Sequence, residues 1–554
     1  MNKIIPIAFV IMLITGCSDF LDTKSYTQKN NTSFPKTEAD ISQALSAVYS
    51  KLYAADYNNS LLMSNIVSDD QFGGGGTNDF HAYAMNNFVI NDVNKFIGLW
   101  TRLYQGIFRA NYVLENIDSV EWTSEAVKDQ YIGEVSFMRA YYLYELGYIF
   151  GNVPMPISTN AENLPQAASD VLFGQIATDL KQAITKLPAT PFSGIKVNEI
   201  GHATKWAAEG LLARVFLYYT GFYNKTDIKL TDGTSMSKNE VIGWVDDCIA
   251  NSGHSLVPDY RNLWGYSYVN TYKFVKDNNL KWVGDGKGDT ETLFSIVYSP
   301  LSKVNMMAVF SGFRQQKRSP FGFGYGFGTV NSQLYDEWPE NDPRKKGSIS
   351  NTKDIATEGD LHFQPELWNS VQVTGYYDKK NLPIWEWPAS GPNKDFSNAI
   401  SICVALYGAN SAQAACNTLS TKIIRLADVL LMGAELGSSK AQTYLDRVRT
   451  RVGLPSVTVT LENIKKERRY ELAFEGVRTQ DLQRWHDAET AYAKVKDVPV
   501  LQSGVKGTVT INYRPEANAF FIIPNQEIVK SNGVLKQNPG WSSTPNFVYS
   551  DIIK

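Results

Sequence analysis

A mainly α fold of tetratricopeptide-like helix pairs, interrupted by a large loop-rich and partly β insertion, is predicted by three observations on this sequence. Apolar residues recur at three- and four-residue spacing in successive segments between 38 and 250, and again between 421 and 485. Between 255 and 420 that period disappears, and Tyr, Trp, Gly, Asn and Pro surround only brief apolar runs. Short polar connections separate the periodic segments, as expected of antiparallel helix pairs, although no strict repeat of roughly 34 residues is visible.

Taken in order, residues 18–37 are polar and turn-rich, a spacer ahead of the fold. Glu38 to Tyr53 sets Ile41, Leu45, Val48 and Leu52 on one helical face. Phe96 to Ile117, Ser124 to Phe150 and Val171 to Leu187 repeat the stripe. Thr204 to Tyr219 does so with Trp206, Leu211, Val215 and Leu217, and Val241 to Ala250 is shorter. Trp100, Tyr104 and Trp206 fall on these stripes and read as core, whereas Trp338, Trp385 and Trp387 lie in the insertion and suit either core or surface. Loops and short strands are expected there, as at Leu293 to Tyr298. Helical spacing returns at Thr421 to Leu436, Lys440 to Val452 and Leu461 to Trp485, and Thr508 to Ile523 alternates as a strand pair before Pro524. The chain thus divides into a helical region 38–254 and a second region 255–554 that contains the insertion 255–420.

Composition excludes several function classes. With 53 Lys and Arg against 56 Asp and Glu the net charge is -3, so no global basic field points to nucleic acid. The five histidines show no H-E-x-x-H spacing, and neither a Walker A loop nor a G-x-S-x-G elbow occurs, so no catalytic residue, metal or cofactor is assigned. Asp285, Asp289 and Glu291 with Gly286 and Gly288 only distantly suggest a Ca²⁺ loop, because the EF-hand order fails. Cys403 and Cys416 suit either a closed loop or two buried thiols.

The N-terminus predicts location. Lys3, the apolar run Ile4 to Ile14 and Thr15-Gly16 before Cys17 form a lipoprotein signal over residues 1–16. The apolar run is too short for a spanning helix of roughly 20 residues. Cys17 is therefore the expected lipidated first residue of the mature chain, with 17–37 as lipidated N-terminus and linker, each buried acyl CH₂ contributing about 0.8 kcal/mol.

Several ordered motifs carry a resemblance. They are Phe20-Leu21-Asp22, Asn111-Tyr112-Val113-Leu114, Phe137-Met138-Arg139-Ala140-Tyr141-Tyr142 with Phe150-Gly151-Asn152-Val153-Pro154, and Ala203-Thr204-Lys205-Trp206-Ala207-Ala208. Further along stand Ile424-Arg425-Leu426-Ala427-Asp428, Val448-Arg449-Thr450-Arg451-Val452-Gly453-Leu454-Pro455, Glu467-Arg468-Arg469-Tyr470-Glu471-Leu472-Ala473-Phe474-Glu475-Gly476 and Gln537-Asn538-Pro539-Gly540. Together they resemble the SusD/RagB outer-membrane lipoproteins over nearly the whole chain. The resemblance implies a SusD-like α-α superhelix, an outer-membrane, cell-surface location, and a non-catalytic role in capturing a nutrient, usually a glycan. It also implies a SusC-like TonB-dependent transporter as partner, membrane attachment through lipid, and ligand specificity in the loop-rich region.

The residues offer their own candidates. Glycan recognition needs aromatic faces beside hydroxyl-binding carboxylates, amides or guanidinium groups on loops. The first candidate loop, Ser68 to Tyr83, holds Asp69 and Asp70 ahead of four glycines and then Phe80 and Tyr83; the second holds Trp264, Tyr266, Tyr268 and Trp282; the third, Arg314 to Phe327, holds Arg318, Phe323 and Tyr325 among glycines. Peptide capture by the same loops is the alternative, and a surface glycoside hydrolase a remote one. Glu471 and Glu475 would be its acid and base, but Arg468, Arg469 and Arg478 beside them favour an ion-pair network along one helix, which keeps both ionised. Asp428 is expected to pair with an Arg such as Arg425, because an unpaired buried charge is costly.

Overall fold

The computed structural model describes residues 34–53, 60–89, 96–299, 305–314, 321, 324–357, 369–386, 400–402, 406 and 418–541. Cys17, Arg318, Phe323, Trp387, Cys403 and Cys416 lie outside them. The first helical block is as its periodicity predicts: α1 (Glu38–Tyr49), α2 (Ile97–Asn116), α3 (Glu125–Phe150), α4 (Ser169–Lys186), α5 (Lys205–Phe222) and α6 (Lys238–Asn251). Local chemistry sets their starts. The Thr37 and Ser237 hydroxyls accept from the backbone three residues on, and Asp40 and Glu240 return the bond to the cap backbone. Ser124 and Thr204 cap α3 and α5 by the same hydroxyl-to-amide bond.

Each helix from α1 to α6 packs on neighbours in this series, with α1 against α2 and α3, and α5 joining α4 to α6. The stack then continues across the insertion: α7 (Leu426–Leu436) lies on both α5 and α6, and α8 (Ala441–Arg451) on α7. The insertion is therefore a loop out of one helical stack. Its neck is an antiparallel strand pair, Thr292–Ile296 leaving and Thr421–Arg425 returning. Beyond the neck, a four-stranded sheet joins Gln71–Gly74, Phe327–Val330, Tyr376–Asp378 and Ile349–Asn351 in that spatial order. One strand from the helical half thus completes the sheet of the insertion.

Three expected elements differ. Thr421 to Leu436 divides into strand and helix at Arg425, whose backbone is extended and whose side chain is buried in ion pairs. Leu461 to Trp485 breaks after α9 (Leu461–Glu471), because Phe474 and Gly476 adopt left-handed φ of 65° and 75° before α10 (Arg478–Arg484). The Asn65 side chain holds that turn, donating to the Phe474 carbonyl and accepting from the Gly476 amide at 2.9 Å each. The C-terminal strand pair falls earlier, at Val498–Gln502 and Val505–Val509, because Ser503 and Gly504, with φ of 50° and 85°, supply a two-residue turn.

The charged residues around α9 form a buried network drawn from five segments. Arg344 is 0 % exposed and donates to Asp342 on its own turn, to Glu467 at 2.5 Å and to Glu471 at 3.0 Å. Arg425 donates to Glu291 at 2.5 Å, Glu471 at 3.0 Å and both Glu475 oxygens at 2.7 and 2.8 Å, and Arg451 joins Glu291 to Glu471. Partners thus come mainly from distant segments, and the expected sequence of pairs along one helix is corrected. Asp428 bonds Arg214 and Arg468 at 2.6 Å each, not Arg425. Burial opposes ionisation of Glu471 and Asp428, but the guanidinium groups of Arg451, Arg425 and Arg344 around the first, and Arg468 and Arg214 around the second, hold both carboxyls well below their usual range.

Glu471→Ala should therefore leave three buried guanidinium groups undercompensated and cost about 3–5 kcal/mol in chemical denaturation at neutral pH. Carboxyls lowered on folding contribute stability that is fully present above their ordinary values near ~4 and lost as pH falls below them. Denaturation midpoints of the unsubstituted protein should accordingly drop steeply on acidification below about pH 4.

Candidate functional site

Two of the three candidate loops meet in space. Gln71, Phe72 and Gly74 pair antiparallel with Val330, Thr329 and Phe327, so the glycine run after Asp70 lies beside the glycine run before Val330. Close approach explains the glycines: a Cβ on Gly74 would stand 2.3 Å from the Gly326 carbonyl oxygen, and one on Gly76 would stand 2.2 Å from Arg314 Nη2. The Gly75 amide donates to the Gly326 carbonyl at 2.8 Å and fixes the turn.

A polar notch is built on this frame. Arg314 lies against Gly76, donates to the Tyr325 carbonyl at 3.2 Å and faces Asp79 at 3.5 Å. Its Nε has no partner among the described residues. Asp79 accepts from the Gly76 amide at 2.7 Å, while Asn369 Oδ1 accepts from the Thr77 hydroxyl at 2.8 Å and the Thr77 amide at 3.2 Å. The Tyr325 ring, half-buried, packs against Phe310 with centroids 5.9 Å apart. A guanidinium and a carboxylate thus face each other where the two loops meet, with a hydroxyl bonded to an amide on the same loop and the half-buried Tyr325 ring on the residue whose carbonyl Arg314 holds, groups suited to a polyhydroxylated ligand. The sequence placed Thr77, Asp79 and Arg314 within the first and third candidate loops without singling them out, and gave no sign of Asn369; only the strand pairing assembles the set.

Asp69 and Asp70 are not the exposed acceptors expected. They are 4 % and 2 % exposed, and their oxygens are taken by Arg478 at 2.7 Å and Arg469 at 2.7 and 2.9 Å. Burial works against ionisation of Asp69, yet Arg478 and Arg469 hold it below the usual carboxylate range. The pair ties the root of the glycine loop to α9 and α10. Tyr83 is likewise buried, and Phe80 opens the short helix Phe80–Asn86 beside the loop.

The second loop is divided. Trp264 and Tyr266 are 6 % and 0 % exposed and form cages for two lysines from residues 379 and 380. Lys379 Nζ lies 3.5 Å from the Phe274 centroid, 4.7 Å from Tyr266 and 5.0 Å from Tyr272. Lys380 Nζ lies 4.5 Å from Trp264 and bonds Glu475 at 2.6 Å, and burial pushes its ammonium below the usual lysine range. These rings are committed to cation-π packing and are corrected to core. Tyr268 and Trp282 remain half-buried as an edge-to-face pair, centroids 6.2 Å apart. Trp338 and Trp385 are also buried, Trp338 stacked 4.8 Å from Tyr470.

The distant calcium suggestion fails on geometry. Asp289 bonds Lys422 and Thr292, Glu291 bonds Arg425 and Arg451, and Asp285 accepts from Ser420, so these carboxylates neutralise cations or fix the neck. Glu471 and Glu475 are equally engaged, and Glu471 is 0 % exposed, so neither is placed to exchange a proton with a substrate.

The described residues thus form a stack of paired helices carrying a loop-rich insertion, with a polar notch at the insertion's edge. The chain belongs to the SusD family, whose model matches residues 256–541; a second model, described as starch-binding and associating with the outer membrane, matches residues 19–217. SusD-like protein P2 of Formosa agariphila is 24 % identical, covering 97 % of this chain and 99 % of that protein. A laminarin-binding SusD-like protein shares the fold at a TM-score of 0.71 and 26 % identity, covering 91 % of this chain and 100 % of its own. Surface glycan-binding protein A from Bacteroides thetaiotaomicron, solved with laminarihexaose, superposes at 0.68 with 23 % identity over 91 % of this chain and 100 % of its own. Among the described residues no helix is long and apolar enough to cross a membrane.

The cages predict a division of effects. Trp264→Ala should cost about 3–5 kcal/mol of stability, as removal of a buried large aromatic does, and also uncover Lys380. Tyr268→Ala, at the half-buried surface, should move the unfolding midpoint far less in the same thermal denaturation series.

Proposed function

We propose that this chain is a cell-surface glycan-binding lipoprotein that takes oligosaccharide at the notch of Thr77, Asp79, Arg314, Tyr325 and Asn369. The observation that carries the reading is the meeting of the two glycine loops. Neither loop alone presents a ring beside both donors and acceptors, and together they do, on a sheet edge held by backbone hydrogen bonds. Preorganised walls reduce the ordering cost of binding a flexible ligand. The Tyr268 and Trp282 pair supplies a second ring surface in the same insertion. Family membership supports this reading, as do fold relatives whose names record laminarin and laminarihexaose.

Cys17 is the anchor in this reading, and 17–37 the tether that keeps the binding domain over a TonB-dependent transporter at the outer membrane. A tether replaces diffusion by a fixed effective concentration at the pore.

Titration calorimetry against neutral and acidic oligosaccharides and a peptide set tests the ligand. Binding of an oligosaccharide is expected, and Arg314→Ala should weaken it about tenfold or more, roughly 1.4 kcal/mol, with an unchanged unfolding midpoint. Peptide binding without glycan binding would overturn the reading. Cys17→Ala should leave affinity intact and reduce glycan uptake by cells; equal uptake with protein shown to be unanchored refutes the tether.

A further inference from the structure

A second cavity lies away from the insertion, in the helical half. It encloses about 1030 Å³ between α2, the loop of residues 154–164 and the helix Asn525–Lys530 with the residues that follow it. That volume is at the upper end of small-ligand pockets, roughly 300–1,000 Å³.

Its walls are fixed by hydrogen bonds. Tyr104 and Asn111 donate from α2 to the carbonyls of Pro154 and Pro156 at 2.7 and 3.0 Å, and Thr159 donates to Glu115 at 2.5 Å. Across the groove, Asn163 donates to the Ser531 carbonyl at 3.3 Å, and Gln166 accepts from the Lys536 amide at 2.9 Å. Five contacts therefore hold the opening in shape.

The lining pairs aromatic surface with hydroxyl-binding groups. Trp100 and Tyr104 pack with ring centroids 4.9 Å apart, and one helical turn further Phe108 is 53 % exposed on the same groove. Ile157 and Val529, 52 % and 74 % exposed, stand in sequence beside the lining residues Ser158 and Lys530. Arg109, next to Phe108, uses Nη1 on the Ala47 carbonyl and the Ser50 hydroxyl at 2.7 and 2.9 Å. Its other N–H groups have no partner among the described residues. A bare ring beside unspent guanidinium donors and the N–H₂ of Gln105, whose oxygen accepts from Lys51 Nζ at 2.6 Å, is the chemistry that meets a sugar, C–H face on the ring and hydroxyls on the donors.

We propose that this groove is a second carbohydrate site, in which Phe108 is the stacking platform and Arg109 and Gln105 take hydroxyl groups. The inference rests on the glycan-binding reading above and adds a site to it. Two separated sites on one chain would let a long polysaccharide be held at two points, raising avidity beyond either site alone.

The test is calorimetry of the full mature chain with laminarihexaose, maltohexaose, cellohexaose, xylohexaose and oligogalacturonate, followed by the tightest binder on variants. Two sites per chain are expected, falling to one in Phe108→Ala, with the notch site alone weakened about tenfold or more in Arg314→Ala and both sites retained in Phe108→Trp. A single site weakened by Arg314→Ala and untouched by Phe108→Ala overturns this inference alone. A protein that binds none of the sugars overturns both readings.

Discussion

Glu471 sits at the end of α9 with three guanidinium groups converging on its carboxylate, from Arg344, Arg425 and Arg451. Those arginines belong to the insertion, to its returning strand and to α8, so a single carboxylate joins the helical stack to everything the insertion carries. Glu291 and Glu467 repeat the device on either side. Taking so many charges out of water is costly, and mutual compensation is what makes it tolerable. Such an arrangement specifies one docking geometry, because a shifted insertion would leave full charges buried and unpaired.

The notch inherits its position from that joint. Asp69 and Asp70, at the root of the first glycine loop, are fixed by Arg469 and Arg478 from the same polar cluster. The loop then pairs with the strand after Arg314, and the donor and acceptor groups fall into place. The lysine cages act similarly on the other side: Lys379 and Lys380 draw Tyr266, Phe274 and Trp264 inward, while Tyr268 and Trp282 stay at the surface. Rings close together in sequence thus divide between core and surface according to where a buried cation sits.

The neck explains how a large insertion coexists with a continuous stack. Strands 292–296 and 421–425 begin and end it side by side, so α7 can lie on α5 and α6 as though the chain had passed directly from one to the other. Loops of the insertion can then vary in length without disturbing helix packing.

Much of this was legible in the sequence. Apolar spacing located α1 to α6 and α8, and capping residues such as Ser124 and Thr204 marked their starts, because helix formation depends on side chains three and four residues apart. The family, the insertion and the candidate glycine loops were legible too. What the sequence could not settle was decided by contacts between residues far apart along the chain. It showed Asp428 as needing an arginine but not that Arg214 and Arg468 would supply it. It marked Asp69, Asp70, Trp264 and Tyr266 as suited to a sugar, whereas partners hundreds or tens of residues away had already claimed them. Arg314 opened a candidate loop without being singled out in it, and Asn369 carried no local signal at all. Residue type and period fix what a segment can do; which partner reaches it first in the folded chain, where a buried charge or ring must be satisfied, is a property of tertiary structure alone.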